Sequence, residues 1–138
     1  MLGKLVRFRK PLPFTAEGNP REIAGQYYDS GLNCAQSVLR ATTGRADEEL
    51  MAITKAFGSG IGGAKCLCGA VNGGVVALAI NGRGELAAEL VKRFKEKNRV
   101  TCCSALTRPF RWGSSEHLAN CRALTAETAE IVAALLEK

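Results

Sequence analysis

Residues 68–80 read Cys68-Gly69-Ala70-Val71-Asn72-Gly73-Gly74-Val75-Val76-Ala77-Leu78-Ala79-Ile80. The run is apolar almost throughout, so periodicity alone does not separate a buried helix from a buried strand. Val75, Val76 and Ile80 are β-branched and would suit a strand over 75–80. The Ala and Leu residues among them favour a helix that begins near Cys68 and ends at Ile80. With that choice made, every ordered segment of the chain reads as helix.

The flanking segments carry clearer signals. Asn19-Pro20-Arg21-Glu22 combines a cap, a proline at the first helical position and a glutamate that reaches back. That helix runs to about residue 30, where Gly31 stops it. Asn33-Cys34-Ala35-Gln36 repeats the capping arrangement and opens a helix through 41. Asp47 begins a third helix that ends near 57, and the glycine-rich stretch 58–63 is a loop. After the turn Gly82-Arg83-Gly84, residues 85–98 place Leu86, Leu90 and Phe94 on one face. Thr101 caps a short helix that Pro109 ends, and Asn120 caps the last helix, whose Leu124, Ile131 and Leu135 face a core. The expected fold is an all-α, compact bundle of about six helices with cysteines at loop-to-helix junctions. Composition agrees: aromatics are only 6% and there are 15 glycines, which suits closely packed helices better than a β-sandwich.

The net charge is +6, and Lys4, Arg7, Arg9 and Lys10 carry four of those charges. The excess is therefore a basic arm over residues 1–15, preceding a single helical domain over 16–138. A solvated terminus is the plain reading of such an arm; contact with an acidic partner is the sharper one. The remainder of the chain is not basic enough to suggest nucleic-acid binding. No apolar stretch of signal length follows the basic start, and no segment reaches transmembrane length. A cytoplasmic location is expected. There, multiple cysteines point to metal or redox chemistry more often than to structural disulfides.

Six cysteines are present. Cys34, Cys121 and the adjacent Cys102-Cys103 follow Asn or Thr residues that suit helix starts, and Cys68 leads into the apolar run. Sulfurs in a first helical turn meet unpaired N–H groups and the positive end of the helix dipole, which favour a thiolate. Four such thiolates could ligate an iron–sulfur cluster or, less readily, zinc. The short Cys-x-x-Cys knuckles usual in zinc ribbons are missing. Without metal, the same sulfurs would suit thiol–disulfide exchange, with Cys66-x-Cys68 and vicinal Cys102-Cys103 as local pairs. Each single cysteine is also compatible with a small buried hydrophobe.

The order of these elements resembles a known family. Gly31-Leu32-Asn33-Cys34-Ala35 comes first, then Cys68-Gly69-Ala70-Val71-Asn72-Gly73, and finally Cys121-Arg122-Ala123-Leu124. This is similar to the C_GCAxxG_C_C family of redox-active proteins, and the resemblance extends from about residue 20 to the C-terminus. It implies a redox role and a signature set of Cys34, Cys68, Cys103 and Cys121, with Cys103 chosen over Cys102. Cys66 and Cys102 are then additions and further candidate ligands. The resulting expectation is an iron–sulfur electron carrier, [2Fe–2S] or [4Fe–4S], that serves a partner redox protein and is able to dimerise. A metal-free thiol–disulfide oxidoreductase using the same cysteines is the alternative.

Two other signals are set aside. Gly58-Ser59-Gly60-Ile61-Gly62-Gly63 matches G-x-G-x-x-G, but it follows a helical pattern and lacks a βαβ setting. A loop shielding the cysteines is the better reading. His117, the only histidine, is expected at the surface, and Trp112 as a packing anchor.

Overall fold

The computed structural model describes residues 17–138, so the expected basic arm lies outside the described residues. Among the described residues there are seven α-helices and no strand. In chain order they are α1 (Pro20–Asp29), α2 (Cys34–Thr43), α3 (Glu48–Lys55), α4 (Gly69–Ile80), α5 (Ala87–Asn98), α6 (Cys103–Leu106) and α7 (Ser115–Leu136). The all-α expectation holds, with α6 no more than a single turn. Among the described residues no helix is long and apolar enough to cross a membrane.

Helix α4 is the axis of the bundle and touches α2, α3, α5 and α7. Its two adjacent glycines, poor helix formers in themselves, are accounted for by how closely the neighbouring helices approach. A Cβ on Gly73 would lie 2.6 Å from the Ala35 Cα and collide with the Ala35 carbonyl oxygen, so α2 packs backbone to backbone on this side. A Cβ on Gly74 would lie 2.7 Å from a Leu90 methyl and 2.9 Å from a Val132 methyl, which opens a second side to α5 and α7. A helix that is apolar all round belongs inside a bundle, and the glycines let neighbours approach from two directions. Val71, Ala77, Leu78, Leu90, Phe94, Val132 and Leu135 are fully buried around it. Each large side chain among them contributes roughly 1.5–3 kcal/mol by leaving water.

The caps fall largely where the sequence places them. Asn19 accepts from the Glu22 N–H, with Pro20 at the first helical position. Asn33 and Gln36 form the reciprocal box that starts α2, at 2.8 and 3.0 Å. The face of α5 is also as expected, with Leu90 and Phe94 fully buried and Leu86 packed against the core.

Two starts differ. Cys102, not Thr101, occupies the cap position of α6, so the sulfur of Cys103 begins that turn. Helix α7 begins at Ser115 and not after Asn120. The Ser114 hydroxyl accepts the His117 N–H at 3.1 Å, and Gly113 with φ +83° reverses the chain just before it. Asn120 lies within the helix, where its amide donates to the Leu106 carbonyl at 3.3 Å. Cys121 therefore sits in the second turn of α7, beyond the unpaired N–H groups of the helix start.

Candidate functional site

Four helices deliver one sulfur each. Cys34 is the first residue of α2, Cys68 caps α4, Cys103 is the first residue of α6, and Cys121 projects from α7. All four line one cavity of about 700 Å³, with Tyr28 and His117 also in its wall. Cys68 and Cys103 are buried, while Cys34 and Cys121 are partly exposed. Gly69 makes the gathering possible: a Cβ there would lie 2.6 Å from the Phe57 carbonyl and 3.4 Å from the Cys34 Cβ. Gly58 and Ser59 of the glycine-rich loop reach the cavity rim.

Within the cavity the sulfurs are grouped two by two. The Cys34 thiol hydrogen-bonds to the Cys121 sulfur, and the Cys68 thiol to the Cys103 sulfur. In each pair one proton is held and the other is loosened. Cys103 is pushed down to about 7, first by the Cys68 thiol, and further by the Gly69 N–H and its own N–H. Cys121 is lowered by the Cys34 thiol and by the Tyr28 hydroxyl, against the opposing effect of burial. Their partners move the other way. Cys34 is raised well above its ordinary value by its hydrogen bond to Cys121, then by burial; Cys68 is raised by Cys103, then by burial. Burial and the neighbouring sulfurs thus outweigh the helix-start effect expected at Cys34 and Cys68. Tyr28 is raised as well, first by burial and then by the sulfurs near it.

The two additional cysteines form neither of the expected local pairs. Cys66 and Cys102 lie at disulfide-bonding distance, with Cα atoms 4.5 Å apart. Two backbone hydrogen bonds bracket them, Cys68 N–H to the Thr101 carbonyl at 2.7 Å and Ser104 N–H to the Lys65 carbonyl at 3.0 Å. The segments around 66 and 102 therefore run side by side, and cross-segment pairing replaces pairing along the chain.

His117 is the residue that sequence reasoning misplaced. It is 5% exposed, and its Nε2 lies 3.5 Å from the Cys121 Sγ. The ring of Trp112 lies against it at 4.2 Å between centroids, and the Lys65 ammonium sits 4.3 Å from the Trp112 ring. The missed signal was the helix start. Once Ser114 caps α7, residues 117 and 121 are one turn apart on the same face.

Four cysteines converging as two thiol pairs, at one cavity of a helical bundle, define a small cysteine-based protein with the means for redox chemistry. The family model described as "Putative redox-active protein (C_GCAxxG_C_C)" matches residues 32–135, and the chain belongs to that family. No curated protein and no solved structure matches the chain.

Proposed function

We propose that this protein works by thiol–disulfide exchange, with Cys34–Cys121 as the couple that meets substrate and Cys68–Cys103 as an inner couple. The supporting observation is the pairing itself: each couple joins a sulfur favoured as thiolate to a sulfur that keeps its proton. The first is suited to attack and the second to resolve the intermediate.

The exchange balances as follows. The Cys121 thiolate attacks a substrate disulfide, a Cys121–substrate disulfide forms, and one substrate sulfur leaves as a thiolate. Cys121 is then neutral, so the hydrogen bond that held the Cys34 proton is lost. Cys34 releases that proton to water and attacks the Cys121 sulfur, expelling the second substrate thiolate. Two electrons have reached the substrate, and Cys34–Cys121 is now a disulfide. A dithiol donor, the partner redox protein of this reading, restores the couple by the reverse exchange. The inner couple, more deeply buried, would act as a reserve or relay.

The test uses the reduced chain and a small aromatic disulfide that releases a coloured thiolate. Read by peptide mass, the native protein should end with Cys34 linked to Cys121 and no probe on either. Cys34→Ser should release one thiolate fewer than native and retain the probe on Cys121. Equal release from the native, Cys34→Ser and Cys121→Ser proteins would overturn the proposal.

An iron–sulfur cluster on Cys34, Cys68, Cys103 and Cys121 is the second reading. It is favoured by one observation, that all four sulfurs share a cavity, and four thiolates are the right donors for such a cluster. The grouping fits it less well. Among the described residues no three Cys, His, Asp or Glu side chains are arranged to hold a metal ion, which applies equally to zinc. The two pairs would have to converge into one set. Anaerobic purification with iron and acid-labile sulfide counted per chain tests this reading, and matched stoichiometric amounts would favour it over the thiol couples.

A further inference from the structure

The ring of His117 makes two polar contacts with opposite requirements. Its Nδ1 accepts the Gly113 N–H at 2.9 Å, and its Nε2 faces the Cys121 Sγ at 3.5 Å. A nitrogen that accepts an N–H carries no hydrogen of its own, so the proton of the neutral imidazole resides on Nε2. The Nε2–H then points at the sulfur. Ser114 fixes the backbone of this turn and Trp112 packs on the ring, so the imidazole has little freedom to flip.

We propose that His117 is a tautomer-locked N–H donor to the Cys121 sulfur and not the acceptor of its proton. The inference deepens the thiol-exchange reading of Cys121 and rests on it for its role in the reaction. For Nε2 to accept a proton it would first have to be bare, which places a hydrogen on Nδ1 directly against the Gly113 N–H. A doubly protonated ring meets the same obstacle, and Lys65 adds a positive charge nearby. The arrangement therefore differs from the thiolate–imidazolium pair of Cys–His hydrolases. The Cys121 proton leaves through the cavity to water, while the N–H of His117 orients the sulfur and stabilises its charge before attack. The other polar groups at Cys121 are Tyr28 from α1 and Cys34 from α2, which keep their own protons, and Cys103 from α6, whose negative charge opposes a charge on Cys121 and whose thiolate is already engaged by Cys68.

The chain contains one histidine, so its imidazole nitrogens need no assignment by mutation. A long-range proton–nitrogen NMR spectrum of the reduced, histidine-labelled protein at neutral pH should show Nε2 protonated and Nδ1 bare. A ring protonated on both nitrogens, or on Nδ1 alone, would overturn the proposal. Cys121 alkylation by iodoacetamide at fixed pH, read by peptide mass with Cys103 as internal reference, supplies a second readout. His117→Gln retains an N–H donor and should keep most of the native rate. His117→Leu should slow the reaction about tenfold, the scale of one hydrogen bond to a charged group. Equal slowing in both variants would contradict a donor role, and the NMR result stands if His117→Leu does not fold. Formation of a Cys34–Cys121 disulfide is read separately, so failure of the exchange reaction and failure of the histidine assignment are distinguishable.

Discussion

Replacing Gly73 by alanine strikes the contact on which both bundle and site depend. The added Cβ would lie 2.6 Å from the Ala35 Cα and 2.8 Å from its carbonyl carbon. Ordinary contact begins at 3.4 Å, so the approach is about 0.8 Å too close. The obstacle is backbone, which cannot swing aside as a side chain does. Overpacking of this kind costs typically about 1–3 kcal/mol, and a backbone obstacle places it toward the upper end. Replacing glycine by alanine within a helix returns about 1 kcal/mol. A net loss of about 1–2 kcal/mol is expected, which lowers the melting temperature by roughly 4–8 °C for a domain of this size. Because α2 carries Cys34 and α4 follows Cys68, the same displacement should alter thiol reactivity. The assay is thermal unfolding of the reduced protein, followed by thiol counting against time. Gly84→Ala is the control, since its nearest neighbour beyond the local chain is the Ala79 Cα at 3.9 Å. It should stay within about 0.5 kcal/mol of native. Gly73→Ala as stable as the native chain would refute the close-packing argument.

Other expectations are independent of that contact. Alkylation of Cys103 should rise with pH through about 7 and then level off, because its thiol is held there chiefly by Cys68. Cys68→Ala should move that rise to higher pH and slow alkylation at pH 7 about fivefold, less than the loss of thiolate because a more basic sulfur attacks faster. An unchanged profile would remove Cys68 as the cause. Ser114→Ala should cost about 1 kcal/mol in urea unfolding, since it deletes the cap of α7. Cys66 and Cys102 are separated by 36 residues, so changing both to serine should lower the stability of the oxidised protein by about 3–4 kcal/mol. The same change should leave the reduced protein nearly unaffected, and equal loss in both states would argue against the pairing.

The sequence made the caps at Asn19 and Asn33 legible because capping needs only residues three apart, and local chemistry determines it. It also favoured a helix over 68–80, although the reason Gly73 and Gly74 are tolerated there lies in Ala35, Leu90 and Val132, far along the chain. The four sulfurs were named from motif order, and the structure brings those four to one cavity. Their two-by-two grouping was not legible, because which thiol meets which depends on how four helices converge. The same is true of Cys66 and Cys102, whose closeness follows from two segments running side by side. His117 was misread for a local reason. Asn120 was read as the cap of the last helix, yet Gly113 and Ser114 had already begun it and turned the imidazole inward.

The most direct test of the account is peptide mapping of the full chain after equilibration in a defined thiol–disulfide buffer, with free thiols blocked before digestion. The account predicts Cys34 linked to Cys121 under oxidising conditions, Cys68 linked to Cys103 as the buffer becomes more oxidising, and all four free when reduced. Four thiols that stay unlinked at every buffer ratio would contradict it.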